Sequence, residues 1–144
     1  MGRTTTYPAS IGAIVDGSSI DRNNGRQISW ADVNVSRKNA TTGKKEIPAF
    51  TVMAELSSGK VIPRADVSGA ETAGMIMETN AIEDDPTASL SGYGMIIGGS
   101  LYENLLPDST GSPKVLPTDY KDELRESDVS TGFQFEQYAD NRAS

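Results

Sequence analysis

A chain of 144 residues, 36% of them apolar and 14 of them glycine, has the length and composition of about one globular domain and is too apolar to stay disordered. Cysteine and histidine are both absent. Their absence excludes disulfide scaffolds, thiolate metal sites, thiol nucleophiles, imidazole-based triads and the commonest zinc ligand sets, so an enzyme is disfavoured and no cofactor is expected. The net charge of −7 is unevenly spread: residues 1–46 hold seven bases against four acids, whereas 47–107 hold two against eight and 108–144 four against eight.

The first 46 residues are rich in Thr, Ser, Asn and Gly, with turn signals at Asp16-Gly17-Ser18-Ser19 and Asn23-Asn24-Gly25. Two pieces within them are weakly strand-like, Ile11 to Val15 and Arg26 to Val35. In the second, Ile28 and Trp30 alternate with polar residues until Asp32 shifts the phase, which predicts a bulge or an end. Such a stretch buries too little by itself to offset about 1 to 2 kcal/mol of backbone entropy per residue. It is an arm that folds against something or an edge of the body, and residues 1–46 are read as an N-terminal arm and linker. Trp30 is either a plug for the core or an anchor on a partner. Ser36 to Glu46, nearly without apolar side chains, reads as a linker or a long hairpin loop.

From Ile47 the pattern becomes short strands between turns, and residues 47–144 are read as one β-rich domain. Phe50, Val52, Ala54 and Leu56 alternate with Thr51 and Glu55; Ser57-Ser58-Gly59 turns the chain into Lys60 to Pro63, and the proline marks an end or an edge. Ala73 to Met77 is apolar on both faces and therefore central in a sheet. Asn80 to Ser91 reads as a polar loop, Gly92 to Gly99 as a buried strand framed by glycines, of the kind small barrels use, and Ser100 to Leu106 as its continuation. Pro117-Thr118-Asp119 opens a short helix with Thr118 as N-cap, and Phe133 to Tyr138 reads as a last strand.

The residues that might carry chemistry have plainer readings. Glu83-Asp84-Asp85 lacks the ligand spacing of a calcium loop and reads as solvated surface. Tyr120 to Glu123 read as helix surface, Gly92, Gly94, Gly98 and Gly99 form no dinucleotide fingerprint, and Met53, Met75, Met77 and Met95 read as core filling. The bases of the N-terminal end are scattered and not interleaved with stacking aromatics, so no direct nucleic-acid partner is expected. No apolar run approaches the roughly 18 residues of a membrane span, and the opening Met1-Gly2-Arg3-Thr4-Thr5-Thr6 lacks a secretory pattern, so a soluble protein with no membrane partner is expected.

Taken in order, Ile47 to Ala54, Ser58 to Pro63, Glu71 to Met77, the glycine-rich strand with Leu101 to Pro107, and the run from Leu116 through the short helix to Phe135 resemble the head decoration (cement) proteins of lambda-type tailed bacteriophages. The resemblance covers about two thirds of the chain. It implies a small β-tulip or barrel-like fold with one short helix near the C-terminus, a homotrimer, and seats at local threefold positions of the major capsid protein on the outer surface of the virion. It implies no reaction. An extended arm would then add Ile11 to Val15 or Arg26 to Val35 to a sheet edge of the shell, making Ile11, Ile14, Val15, Arg26, Ile28 and Trp30 the candidate capsid-binding residues. The alternatives are a tail or baseplate component, or a carbohydrate-binding β domain that would use Trp30, Tyr93, Tyr102 and Tyr138.

Overall fold

The computed structural model describes residues 13–139 of the chain. It is mainly β, with strands β1 (Asp21–Arg26), β2 (Glu46–Ile47), β3 (Val52–Glu55), β4 (Val61–Pro63), β5 (Ala73–Met77), β6 (Ala81–Ile82), β7 (Tyr93–Tyr102) and β8 (Gly132–Glu136), and helices α1 (Pro86–Ser91) and α2 (Thr118–Glu126). The main sheet runs β1-β7-β5-β3-β4, all antiparallel, with β8 added to β7 in parallel; β2 and β6 form a separate pair. β7 is the spine. Its first part pairs with β5 and β1, and its last residues with β8, Gly98 opposite Gly132 through Tyr102 opposite Glu136.

The strands read as apolar on both faces because both faces are covered. On one lie Met53, Met75, Met77 and Met95 with Ile28, Val33, Ile47 and Val61, and Trp30 packs against them. On the other lie Val52, Ile76, Ile96, Leu101, Leu116, Leu124 and Phe133. Helix α2 covers this second face through Leu124, which is fully buried. As its sequence suggested, β5 is buried at every residue, and Ser57-Ser58-Gly59 closes the β3–β4 hairpin with the Leu56 N–H donating to the Lys60 carbonyl.

The structure corrects several expectations. The sheet is open and does not close into a barrel. At one end β4 stops after three residues at Pro63; at the other β1 is polar, exposed and shifted in register, features that blunt an edge instead of extending it. The turn signal Asn23-Asn24-Gly25 lies inside β1, where Gly25 adopts φ +82 within the register shift, so the glycine supplies a bulge and not a turn. Residues 13–46 are also not a free arm. Ile14 bridges to Leu101, β1 pairs with β7, Ile28 bridges to Val61, and Ile28 and Val33 are buried. These few apolar side chains build no core of their own, but the methionine face offers one ready made. Ser36 to Glu46 is the hairpin loop of the two options, with Lys38 opposite Lys45.

Further along, the expected strand from Phe50 starts only at Val52, since Phe50 sits at φ +68, and Thr51 and Met53 are buried alongside Val52 and Ala54. Asn80 to Ser91 holds β6 and α1 where a loop was expected. Pro117, not Thr118, caps α2; it makes no side-chain cap bond, and in the first turn the Asp119 carboxylate accepts the Tyr120 N–H at 3.1 Å.

Candidate interaction surface

Buried and half-buried charges fasten the covering layers to the sheet. The Arg64 guanidinium donates to both oxygens of Glu123 at 2.7 and 2.9 Å, and the same carboxylate accepts the Ala73 N–H at 2.7 Å, tying α2 to β4 and β5. The bond from Arg64, helped by the Ala73 N–H against the cost of burial, holds Glu123 below the usual carboxylate range. Arg64 also stacks over the Tyr120 ring. Elsewhere, Arg37 pairs bidentately with Asp66, Arg26 pairs with Glu55, and the buried Lys45 donates Nζ to the Trp30 carbonyl at 2.8 Å.

Glu103 is the centre of a third network. Burial alone would raise its pKa, but its carboxylate accepts from the Leu116 N–H at 2.8 Å, Lys121 Nζ at 3.0 Å and Gln137 Nε2 at 3.4 Å, and these together hold it below the ordinary value. Its carbonyl takes the Ser109 hydroxyl. Burial pushes the Asp108 carboxyl up, partly offset by the Val52 N–H that it accepts at 2.8 Å. Sequence reading passed over these groups. The one available signal was an acid, Glu103, set between the apolar pairs Leu101-Tyr102 and Leu105-Leu106, where a buried charge needs partners.

The candidate capsid-binding residues are dispersed and mostly engaged. Ile11 lies outside the described residues. Ile14 bridges to Leu101 and the Val15 N–H donates to the Ser100 carbonyl at 3.1 Å. Arg26 is paired with Glu55, Ile28 is 5% exposed, and Trp30 packs on the methionine face. Adding the Arg26 to Val35 stretch to another sheet would strip this face of its cover. The aromatics are likewise drawn into packing: Tyr93 is buried, its hydroxyl donating to the Ile82 carbonyl at 3.3 Å, and Tyr102 meets Tyr138 edge to face at 5.1 Å.

The acidic loop is structural where it is described. Glu83 exchanges backbone and side-chain bonds with Lys45, and no group of three or more acids among the described residues is arranged to hold a metal. Among the described residues, two grooves gather charged side chains. One of about 370 Å³ is lined by Glu55, Glu71, Glu126 and Asp128 beside Met75 and Val129; the other, of about 420 Å³, runs between Arg37, Lys38 and Glu46 and the β6 residues Ala81 and Ile82.

What the molecule does present is two poles, at the two ends of β7, which at ten residues is about 33 Å long. At the first, before Tyr93, α1 exposes Leu90. At the second, after Tyr102, Leu105 and Val115 are 41% and 40% exposed. The second pole is the more rigidly built. Glu103 braces it, Asn104 both donates to the Tyr138 carbonyl and accepts the Tyr138 N–H, and Gln137 donates to the Lys114 carbonyl at 2.9 Å. Both ends of the described chain also arrive here: the Ala13 carbonyl accepts the Tyr102 N–H at 2.7 Å, and Tyr138 stands at Asn104. Compared with known protein families and with curated proteins, the chain matches none.

Proposed function

We propose that this protein is a non-enzymatic structural component of a tailed-phage virion that sits as a homotrimer on the outside of an expanded capsid, at local threefold positions of the major capsid protein, and holds the shell against internal pressure. The observation that carries the reading is the order of the resembling segments: they fall successively on β2 and β3, β4, β5, β7, and then α2 and β8. The build of the body suits the role. A sheet packed on both faces and laced by the Arg64–Glu123, Arg37–Asp66 and Glu103 networks resists deformation, as a rivet must.

The load-sharing follows from symmetry. A trimer seated among several capsid subunits makes several modest contacts at once, so each gains from a high effective concentration and the subunits separate only if the contacts break together. The test is native mass spectrometry of the full chain with co-sedimentation on heads and tails separated from lambda-type particles. The expected result is a species of three times the 15.3 kDa chain mass that sediments with heads. A monomer at tens of micromolar overturns the reading, and co-sedimentation with tails alone replaces it by a tail component.

A further inference from the structure

We propose that Asn24-Gly25, in the edge strand β1, is a site of spontaneous covalent modification: the Gly25 backbone nitrogen closes on the Asn24 side-chain amide, ammonia leaves, and water opens the ring to aspartate or isoaspartate, loosening β1 from the sheet.

Such a reaction needs an unhindered nitrogen after the asparagine, a side-chain amide that nothing holds, and a backbone free to bend. Glycine supplies the first, having no side chain to crowd the attack, and Asn24-Gly25 is the one Asn-Gly pair in the chain. The second separates Asn24 from the other asparagines. Among the described residues, Asn23 Oδ1 accepts from Arg26 Nε, Asn34 Oδ1 from the Ser36 N–H, Asn39 Oδ1 from the Thr41 N–H and Asn80 Oδ1 from the Ala49 N–H, and Asn104 is bonded through both amide atoms to Tyr138. Asn24 is exposed and its amide makes no hydrogen bond within the protein. Backbone freedom comes from the bulge. Pairing with β7 holds at Asn23 opposite Met95 and at Arg26 opposite Tyr93, leaving Asn24 and Gly25 out of register between them, with Gly25 at φ +82. β1 is also the last strand on its side of the sheet, where local opening costs least.

The step balances with water as the only co-reactant. The Gly25 N–H gives its proton to hydroxide and the nitrogen attacks Asn24 Cγ; the N–Cγ bond forms, the Cγ–Nδ2 bond breaks, and Nδ2 leaves as ammonia, closing a five-membered imide. Water then adds to one of the two imide carbonyls. Breaking the new N–Cγ bond gives aspartate, and breaking the original peptide bond gives isoaspartate, with nothing oxidised or reduced. Either product takes the net charge from −7 to −8. Asn24 Oδ1 and Glu78 Oε1 converge over Gly94, 2.9 and 3.2 Å from where a Cβ on that glycine would stand. An aspartate at 24 therefore stands within about 6 Å of the Glu78 carboxylate, close enough for like charges to oppose each other and to compete for Arg22, which donates to Glu78 at 2.7 Å. Isoaspartate adds one carbon to the main chain between Asn23 and Arg26, so their pairings with Met95 and Tyr93 no longer share a register.

The test ages the full chain in mildly alkaline buffer, both folded and unfolded in urea, and compares the tryptic peptide of residues 23–26 with that of a fresh sample digested identically. The expected result is replacement of NH2 by OH at position 24 of the folded chain, at a rate within about tenfold of that in urea, the protection that a nearly free local opening allows. An acidic shift in isoelectric focusing and methylation by an isoaspartate methyltransferase accompany it. Asn24→Gln, whose extra methylene disfavours the five-membered ring, keeps the parent's far-UV circular dichroism and loses all these signals. In the aged protein amide exchange speeds up at Arg22 and Arg26 and is unchanged at Leu124. A folded chain protected well beyond that range, or one in which another asparagine reacts first, overturns the proposal. Modification at 24 with unchanged exchange in β1 overturns the loosening and leaves the site standing.

Discussion

The two faces of the main sheet are covered in different ways, and their side chains differ accordingly. The face under α2 is lined by branched and aromatic side chains, Val52, Ile76, Ile96, Leu101 and Phe133. A helix presents a regular surface, and stiff side chains with few rotamers pack against it in one arrangement. The opposite face, lined by Met53, Met75, Met77 and Met95, lies under a layer from residues 28 to 47 that contains 3-10 turns and loop and contributes only Ile28, Trp30, Val33 and Ile47. Unbranched, polarizable methionines fill the uneven space such a layer leaves. The fastening differs too. The helix is held by one carboxylate, Glu123, that serves both a guanidinium and a backbone N–H, while the irregular layer is held at separate points by Arg37 and Lys45.

The sharpest test of this contrast removes bulk from the stiff face. Ile76→Ala is expected to cost about 4 kcal/mol in urea unfolding, since a fully buried branched side chain leaves a cavity that a helix-backed layer cannot close. Next, Glu123→Ala strands Arg64 and the Ala73 N–H together. It is expected to cost about 3 kcal/mol and to release α2 first, visible as accelerated amide exchange at Leu124.

Glu103→Gln weakens the bracing of the second pole by about 1 to 2 kcal/mol at neutral pH. The sign of its pH dependence is fixed by the lowered carboxyl pKa: the stabilisation is present above the unfolded value near 4.5 and is lost as the pH falls through the lower folded value. The gap in thermal midpoint between parent and variant should therefore narrow as the pH drops below about 4.5; a gap that widens there contradicts the network. The smallest effect is expected on the adaptable face, where Met75→Leu should cost under about 1.5 kcal/mol. A loss matching that of Ile76→Ala would erase the distinction between the two faces.

Much of the fold was legible because it is written in local signals. The Ser57-Ser58-Gly59 turn, the doubly apolar Ala73 to Met77 and the helix after Pro117 each follow from residues within a few positions of one another. The fate of residues 13–46 was not legible. Ile28, Trp30 and Val33 are too few to predict a core, and only the presence of four methionines from three distant strands makes burying them favourable. The second pole was hidden for the same reason: Ala13, Tyr102, Leu116 and Tyr138 are far apart in the chain and meet only because β7 pairs with both the first and the last described strands.

By itself the sequence determined the class of the fold and the chemistry open to it, because alternation, turns and the lack of histidine and cysteine depend on no partner elsewhere in the chain. Only the tertiary structure decided that the sheet stays open, that most of the polar front end is body and not arm, and that both described ends gather at one pole. Those outcomes depend on which distant apolar surfaces and backbone edges are available to be covered, a quantity no local window contains.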